Sequence, residues 1–185
     1  MPIMNVRYPA GRLDASSKAD LAQRLTDVLV RMEGGANTEG GRGFAWVLFT
    51  EVAAEDWWIG GRTDGRFVSP PGQFLVHVSI PEGYMNTAHK NEVHAWVTQA
   101  IVATAGSGDA KSAAASVLVI IDEVTEGNWG CGGHAIHLAS IAKTVGMPAD
   151  GDRMAWSRAY FEAKARQFAA AAYPSDAGGL WPTSG

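Results

Sequence analysis

The feature that most constrains this 185-residue chain is an internal repeat at a fixed spacing of 72 residues. The segment VRYPAG that begins at Val6 returns as VSIPEG at Val78. Without a gap, the same offset pairs Pro9 with Pro81, Gly11 with Gly83, Lys18 with Lys90, Val47 with Val119 and Glu51 with Glu123. It also pairs Trp57 with Trp129, Gly60 with Gly132 and Gly61 with Gly133. One offset that preserves turn residues and glycines means two copies of one structural unit.

Each copy reads strand, helix, strand. Residues 2–8 form a short extended run that ends in the turn-forming Pro9-Ala10-Gly11. Asp14 or Ser16 can cap a helix whose apolar face is Leu21, Leu25, Val28, Leu29 and Met32, stopped at Gly34-Gly35. The aromatic and β-branched run 44–52 suits a buried strand. In the second copy the strand is 74–80, Asn86 or Thr87 opens a helix with Val93, Val97, Ala100 and Ile101 inward, and 116–124 is the closing strand. A strand–helix–strand unit implies a right-handed parallel crossover. The expected fold class is therefore α+β: tandem βαβ units in a four-stranded sheet, with two helices on one face and a C-terminal helical extension. The expected divisions are 1–72, 73–146 and 147–185. The second face of the sheet is also apolar, and an uncovered face of that size predicts self-association.

Beyond Gly133 the repeat lapses. The sequence HAIHLASIAKTVG predicts a short helix ending at Gly146, and Asp152 is placed to cap a longer one running to about Ala172 before Pro174. The last residues, from Ser175, read as a loose tail unless Trp181 docks.

Composition excludes several classes of function. The net charge is -4, so no basic footprint points to nucleic acid. No apolar run has the length of a membrane span, and the first segment lacks a signal-peptide pattern, which sets the expectation of a cytoplasmic protein. The single cysteine, Cys131, forms no intrachain disulfide framework. Cys131, His134 and His137 have metal-like spacing, but the histidines would sit one turn apart on a surface helix without converging ligands, so no metal and no cofactor is expected. GSGDAK at Gly106 lacks the spacing of a phosphate loop, and no nucleophile elbow is present.

The residue with chemistry is Pro2. If Met1 is removed, Pro2 becomes a free secondary amine. An ordinary α-amino group titrates near about 8, and burial lowers that value towards the range a general base needs. A retained Met1 leaves an amide with no basicity.

The combination of Pro2, the βαβ duplication and an aromatic residue followed by Gly-Gly in both halves resembles the tautomerase superfamily. The first half, PIMNVRYPAGRLDASSKADLAQRLTDVLV, is similar to the start of the 4-oxalocrotonate tautomerases and the cis-3-chloroacrylic acid dehalogenases. In the second half, IIDEVTEGNWGCGG carries the same signature, so the resemblance spans roughly residues 1–134. It implies a MIF-like fold, a homotrimer and a pocket near a subunit interface. Within that pocket Pro2 would act as general base or acid on a small-molecule substrate. Phe74 stands at the equivalent place in the second half, with a mid-chain nitrogen, so one active site per chain follows.

The chain departs from the family where the fused members carry substrate-binding arginines, since those places read Pro81 and Tyr84. The resemblance leaves Trp57, which matches the family's active-site phenylalanine, and Tyr84, placed to hydrogen-bond a developing enolate. Arg7, Arg12 and Arg62 remain as cations for an anionic group. Arg12 reads equally as a turn arginine or a remnant lining the second-half pseudo-site. These residues suggest keto–enol tautomerisation of an uncharged or monoanionic aromatic carbonyl compound. The alternatives are a lyase, decarboxylating or hydrating with the same amine, and a non-catalytic binding protein on this fold.

Overall fold

The computed structural model describes residues 2–34, 37–68, 72–106 and 114–181. Met1, Gly35, most of GSGDAK and the tail from Pro182 lie outside the described residues. Strand β1 (Ile3–Pro9) is followed by helix α1 (Ala15–Met32), a short helix α2 (Glu39–Phe44) and strand β2 (Trp46–Val52). Strand β3 (Phe74–Pro81), helix α3 (Thr87–Ala105) and strand β4 (Val117–Val124) repeat the plan. The hairpin β5–β6 (Gly130–Cys131 and His134–Ala135), helix α4 (Leu138–Thr144) and helix α5 (Asp152–Ala170) complete the chain.

The sheet order is β2-β1-β3-β4. β1 runs parallel to β2 and β3 parallel to β4, while the central pair β1 and β3 is antiparallel, with Ile3 opposite Ser79 and Arg7 opposite Leu75. This is the tandem βαβ sheet that the repeat implies. α1 and α3 pack side by side on one face. Met4, Val6 and Tyr8 of β1 and Val76, Val78 and Ile80 of β3 point into the core. They meet Leu21, Leu25 and Leu29 of α1 and Val97 and Ile101 of α3. The matched positions also make matched ion pairs, Lys18 with Glu51 at 2.9 Å and Lys90 with Glu123 at 2.8 Å. Each ties a helix to the end of its unit's second strand.

The repeated glycine pairs have a backbone reason. Gly60 and Gly61 lie at φ +58° and +76°, and Gly132 and Gly133 at +61° and +80°. Two successive left-handed residues make the tight turn of a two-residue hairpin, closed by the Ile59–Arg62 bridge in the first half and by β5–β6 in the second.

The opposite face of the sheet is open. Trp46, Leu48, Leu118 and Ile120 stand on its outer strands, with Trp46 52% and Leu118 63% exposed. β2 is therefore an edge strand exposed on one side, and the fully buried strand expected at 44–52 is not found. Its first two residues belong instead to α2 and its C-cap, with Thr38 capping the helix through the Gly41 N–H. Asp14 and Asn86 cap α1 and α3 through side-chain oxygens.

Three further expectations change in the C-terminal part. His134 lies in a hairpin strand and His137 precedes α4 as its N-cap, so they are not one turn apart on a helix. Gly151, not Asp152, is the N-cap of α5, which ends at Ala170. The tail up to Trp181 is docked, with the Trp181 ring edge-on to Phe161 at 5.6 Å.

Candidate functional site at the amino-terminal end of the sheet

Pro2 is buried, and its carbonyl accepts the Trp46 N–H at 3.4 Å. The antiparallel register that pairs Ile3 with Ser79 continues so as to set Pro2 beside Ile80. Pro2 therefore lies at the end of the sheet where β3 leaves the core and the loop Glu82–Met85 begins.

The end of α1 carries a buried acid. Glu33 is the C-cap of that helix and is 4% exposed. Burial raises its pKa, because a desolvated carboxyl resists ionisation.

Tyr84 occupies the next wall. It is 1% exposed, and its hydroxyl donates to the Glu33 carbonyl at 2.7 Å. Burial raises its pKa well above the ordinary phenol, with Arg153 acting the other way. A hydroxyl whose only proton is already given to a main-chain carbonyl is not free to polarise a substrate oxygen. In this structure the Tyr84 hydroxyl makes a buried hydrogen bond to the main chain and does not present its proton to a substrate.

Arg153, from the second position of α5, covers this tyrosine. Its guanidinium lies 5.3 Å from the centre of the Tyr84 ring, and Nη1 donates to the Met32 carbonyl. Arg153 has no carboxylate partner among the described residues. On the other side His89, in the first turn of α3, has its pKa lowered by burial and then by Arg153. A half-buried cation held by a carbonyl and a ring keeps donors available for an anion.

The helix that carries Arg153 is firmly seated on the loop after β3. Glu82 accepts from Lys164 Nζ at 2.6 and 2.7 Å and from the Tyr160 hydroxyl at 2.8 Å. Burial alone would raise the Glu82 pKa, but the Lys164 and Tyr160 hydrogen bonds outweigh it and hold the carboxyl below its usual value. Tyr160 in turn is pushed up to about 12 by burial and by donating its hydroxyl proton to this carboxylate. Gly83, at φ +67°, lies under the Tyr160 ring so closely that a Cβ there would come within 2.6 Å of it.

The remaining sequence candidates gather at the other end of the sheet. Arg7 and Trp57, with Trp58, Phe74, Leu75 and Leu118, line a cavity of about 430 Å³. The Arg12 guanidinium lies about 3.6 Å from where a Cβ on Gly72 would stand, two residues before Phe74. Arg62 is paired with Asp64 at 2.7 Å and is exposed. Within one chain, then, Arg7, Arg12 and Trp57 surround the second-half position Phe74 and not Pro2. Antiparallel pairing of β1 and β3 is the cause, since it puts the start of one strand beside the end of the other. Trp129, the repeat partner of Trp57, is buried in the second-half hairpin.

Two residues at the Pro2 end, Glu33 and Arg153, were not singled out from sequence. Both carry a readable signal, for each opposes its helix dipole: an acid at the C-terminus of α1 and a base in the first turn of α5. Among the described residues no cluster of three or more histidine, cysteine, aspartate or glutamate side chains has metal-binding geometry. No helix among them is long and apolar enough to cross a membrane.

The Tautomerase enzyme family model matches residues 2–63 and 75–139. Similar solved structures include a fused 4-OT asymmetric trimer, 20% identical, with a TM-score of 0.57 over 76% of this chain and 98% of that one. A member of the cis-3-chloroacrylic acid dehalogenase family is 20% identical, with a TM-score of 0.55 over 72% and 82% of the two chains. A protein inactivated by 2-oxo-3-pentynoate is 18% identical, with a TM-score of 0.56 over 76% and 97%. A search of curated protein sequences gives no match. The family match ends at Ala139, so α5 and Arg153 lie outside it.

Proposed function

This chain belongs to the tautomerase family, and on that premise we propose that Pro2, freed by removal of Met1, is the proton-transferring group of a keto–enol tautomerase. The observation that carries the reading is that Pro2, the first residue of the family match, is buried at the start of β1 where the sheet meets the Glu82–Met85 loop. In the enol-to-keto direction the neutral Pro2 nitrogen takes the proton of the substrate O–H and, now protonated, delivers it to the adjacent carbon. In reverse, the neutral Pro2 nitrogen removes a proton from the carbon beside the carbonyl, and the protonated amine returns it to the resulting enolate oxygen. Burial favours the neutral amine and so lowers its pKa towards the range a general base needs.

Arg153 is assigned the anionic part of the substrate, which makes the substrate a monoanionic carbonyl compound such as an aryl 2-oxo acid. Its free N–H groups and its fixed seat over Tyr84 support the assignment. The open sheet face carrying Trp46, Leu48, Leu118 and Ile120 supports assembly into a homotrimer. In such a trimer Trp57, Arg7, Arg12 or Arg62 would serve Pro2 only from a neighbouring copy. Lyase chemistry, decarboxylating or hydrating, would use the same amine as an acid.

The experiment is covalent labelling with 2-oxo-3-pentynoate followed by peptide mass mapping. The reading expects one adduct per labelled chain, on Pro2, and none in Pro2→Ala. Adducts elsewhere, or equal labelling of Pro2→Ala, would remove Pro2 from the mechanism.

A further inference from the structure

The C-terminal segment builds a second cavity that takes no part in the Pro2 site. Its volume is about 510 Å³, within the range of roughly 300–1,000 Å³ typical of small-molecule sites. Every lining residue comes from position 139 or later, where the family match ends. Ala139 of α4, Met147 of the connecting loop, Met154 of α5 and the docked Trp181 form the apolar wall. Methionine side chains are unbranched and adaptable, which suits a flexible apolar ligand.

Only two charged side chains line the cavity among the described residues, and both are cations: Lys143 at the end of α4 and Arg158 on α5. Neither has a carboxylate partner among the described residues. The Arg158 guanidinium is held at the rim by Nη1 donating to the Ala149 carbonyl at 2.8 Å, which leaves its other donors available. Lys143 follows the preference for a cation at a helix C-terminus and is exposed. Asp150 and Asp152 lie in the neighbouring turn and do not line the cavity. Apolar walls under an uncompensated pair of cations complement one kind of molecule, an amphipathic monoanion.

We propose that this cavity is a binding site for a medium-chain aliphatic carboxylate, with the chain against Met147, Met154 and Trp181 and the carboxylate between Lys143 and Arg158. The site is independent of Pro2, so it stands or falls apart from the tautomerase reading.

Isothermal titration with octanoate, below its aggregation threshold, tests it on the full chain. Saturable 1:1 binding is expected, equal in wild type and Pro2→Ala. The double variant Lys143→Glu/Arg158→Glu, at two exposed positions, should weaken it at least tenfold. Ala139→Trp, which keeps both cations but fills the cavity, should abolish it, with circular dichroism confirming that each variant is folded. Absence of binding at millimolar octanoate, retention of affinity in both variants, or equal affinity for octylamine would overturn the proposal. So would octanoate-induced change in oligomeric state in place of 1:1 binding, which would make the cavity a contact between copies. Binding that emerges only after deletion of residues 182–185 would assign the cavity to the chain's own end and also overturn it.

Discussion

Substituting Glu82 by glutamine removes the anion on which α5 is docked while keeping the size of the side chain. In the native protein the Glu82 and Lys164 side chains are only 13% and 16% exposed, at 2.6 Å. Breaking a fully buried pair by removing one partner costs about 3–5 kcal/mol, whereas an exposed pair is worth about 1 kcal/mol or less. The remaining exposure lets water reach both groups, so we expect about 2 kcal/mol for the coupling. That corresponds to roughly a thirtyfold rise in the undocked population of α5. A double-mutant cycle of Glu82→Gln, Lys164→Met and the double variant, followed by urea unfolding, measures the coupling directly. Hydrogen exchange should rise in α5 and not in β1 or β3. Because Arg153 rides on the same helix, KM should increase with little change in kcat. A coupling energy below about 0.5 kcal/mol, or exchange that rises uniformly, would refute the view that this network seats the helix.

The same network sets a pH dependence. Glu82 is held below its ordinary value of 4.5, so its stabilisation is fully present above that pH and is lost as pH falls through the depressed value. Acid should therefore release α5 before the sheet unfolds, visible as early quenching or shift of Trp156 and Trp181 fluorescence. Tyr84→Phe leaves the Glu33 carbonyl without its buried donor and should cost about 1–3 kcal/mol in stability. Activity per folded molecule should be unchanged, which separates a structural Tyr84 from a catalytic one. Leu118→Asp on the open sheet face should lower the mass measured by light scattering by disrupting association.

Much of this fold is legible because the repeat doubles the information. A single Gly-Gly or a single Lys–Glu spacing means little, yet Gly60-Gly61 with Gly132-Gly133, and Lys18–Glu51 with Lys90–Glu123, specify matching hairpins and matching ion pairs. The caps at Asp14 and Asn86 are readable for the same local reason. The site is less legible because it depends on which strand ends meet. Arg7 and Arg12 follow Pro2 closely in sequence and Trp57 belongs to the same half, but the antiparallel β1–β3 pairing places them at the Phe74 end. Tyr84 reads as a donor from its place in the loop, and only its contact with the Glu33 carbonyl shows its hydroxyl engaged. Arg153 is 69 residues beyond Tyr84, and no local pattern brings α5 over that ring. The seat for that helix is made by Gly83 and Glu82, two residues that sequence alone assigns to an ordinary turn.

The most direct test of the account is the rate of ketonisation of phenylpyruvate enol by protein whose intact mass shows Met1 removed, set beside Pro2→Ala. The account predicts saturable catalysis by the processed wild type and a loss of at least a hundredfold in the variant, the scale of a positioned general acid or base. Equal rates for the two proteins, or catalysis by a form that retains Met1, would contradict it.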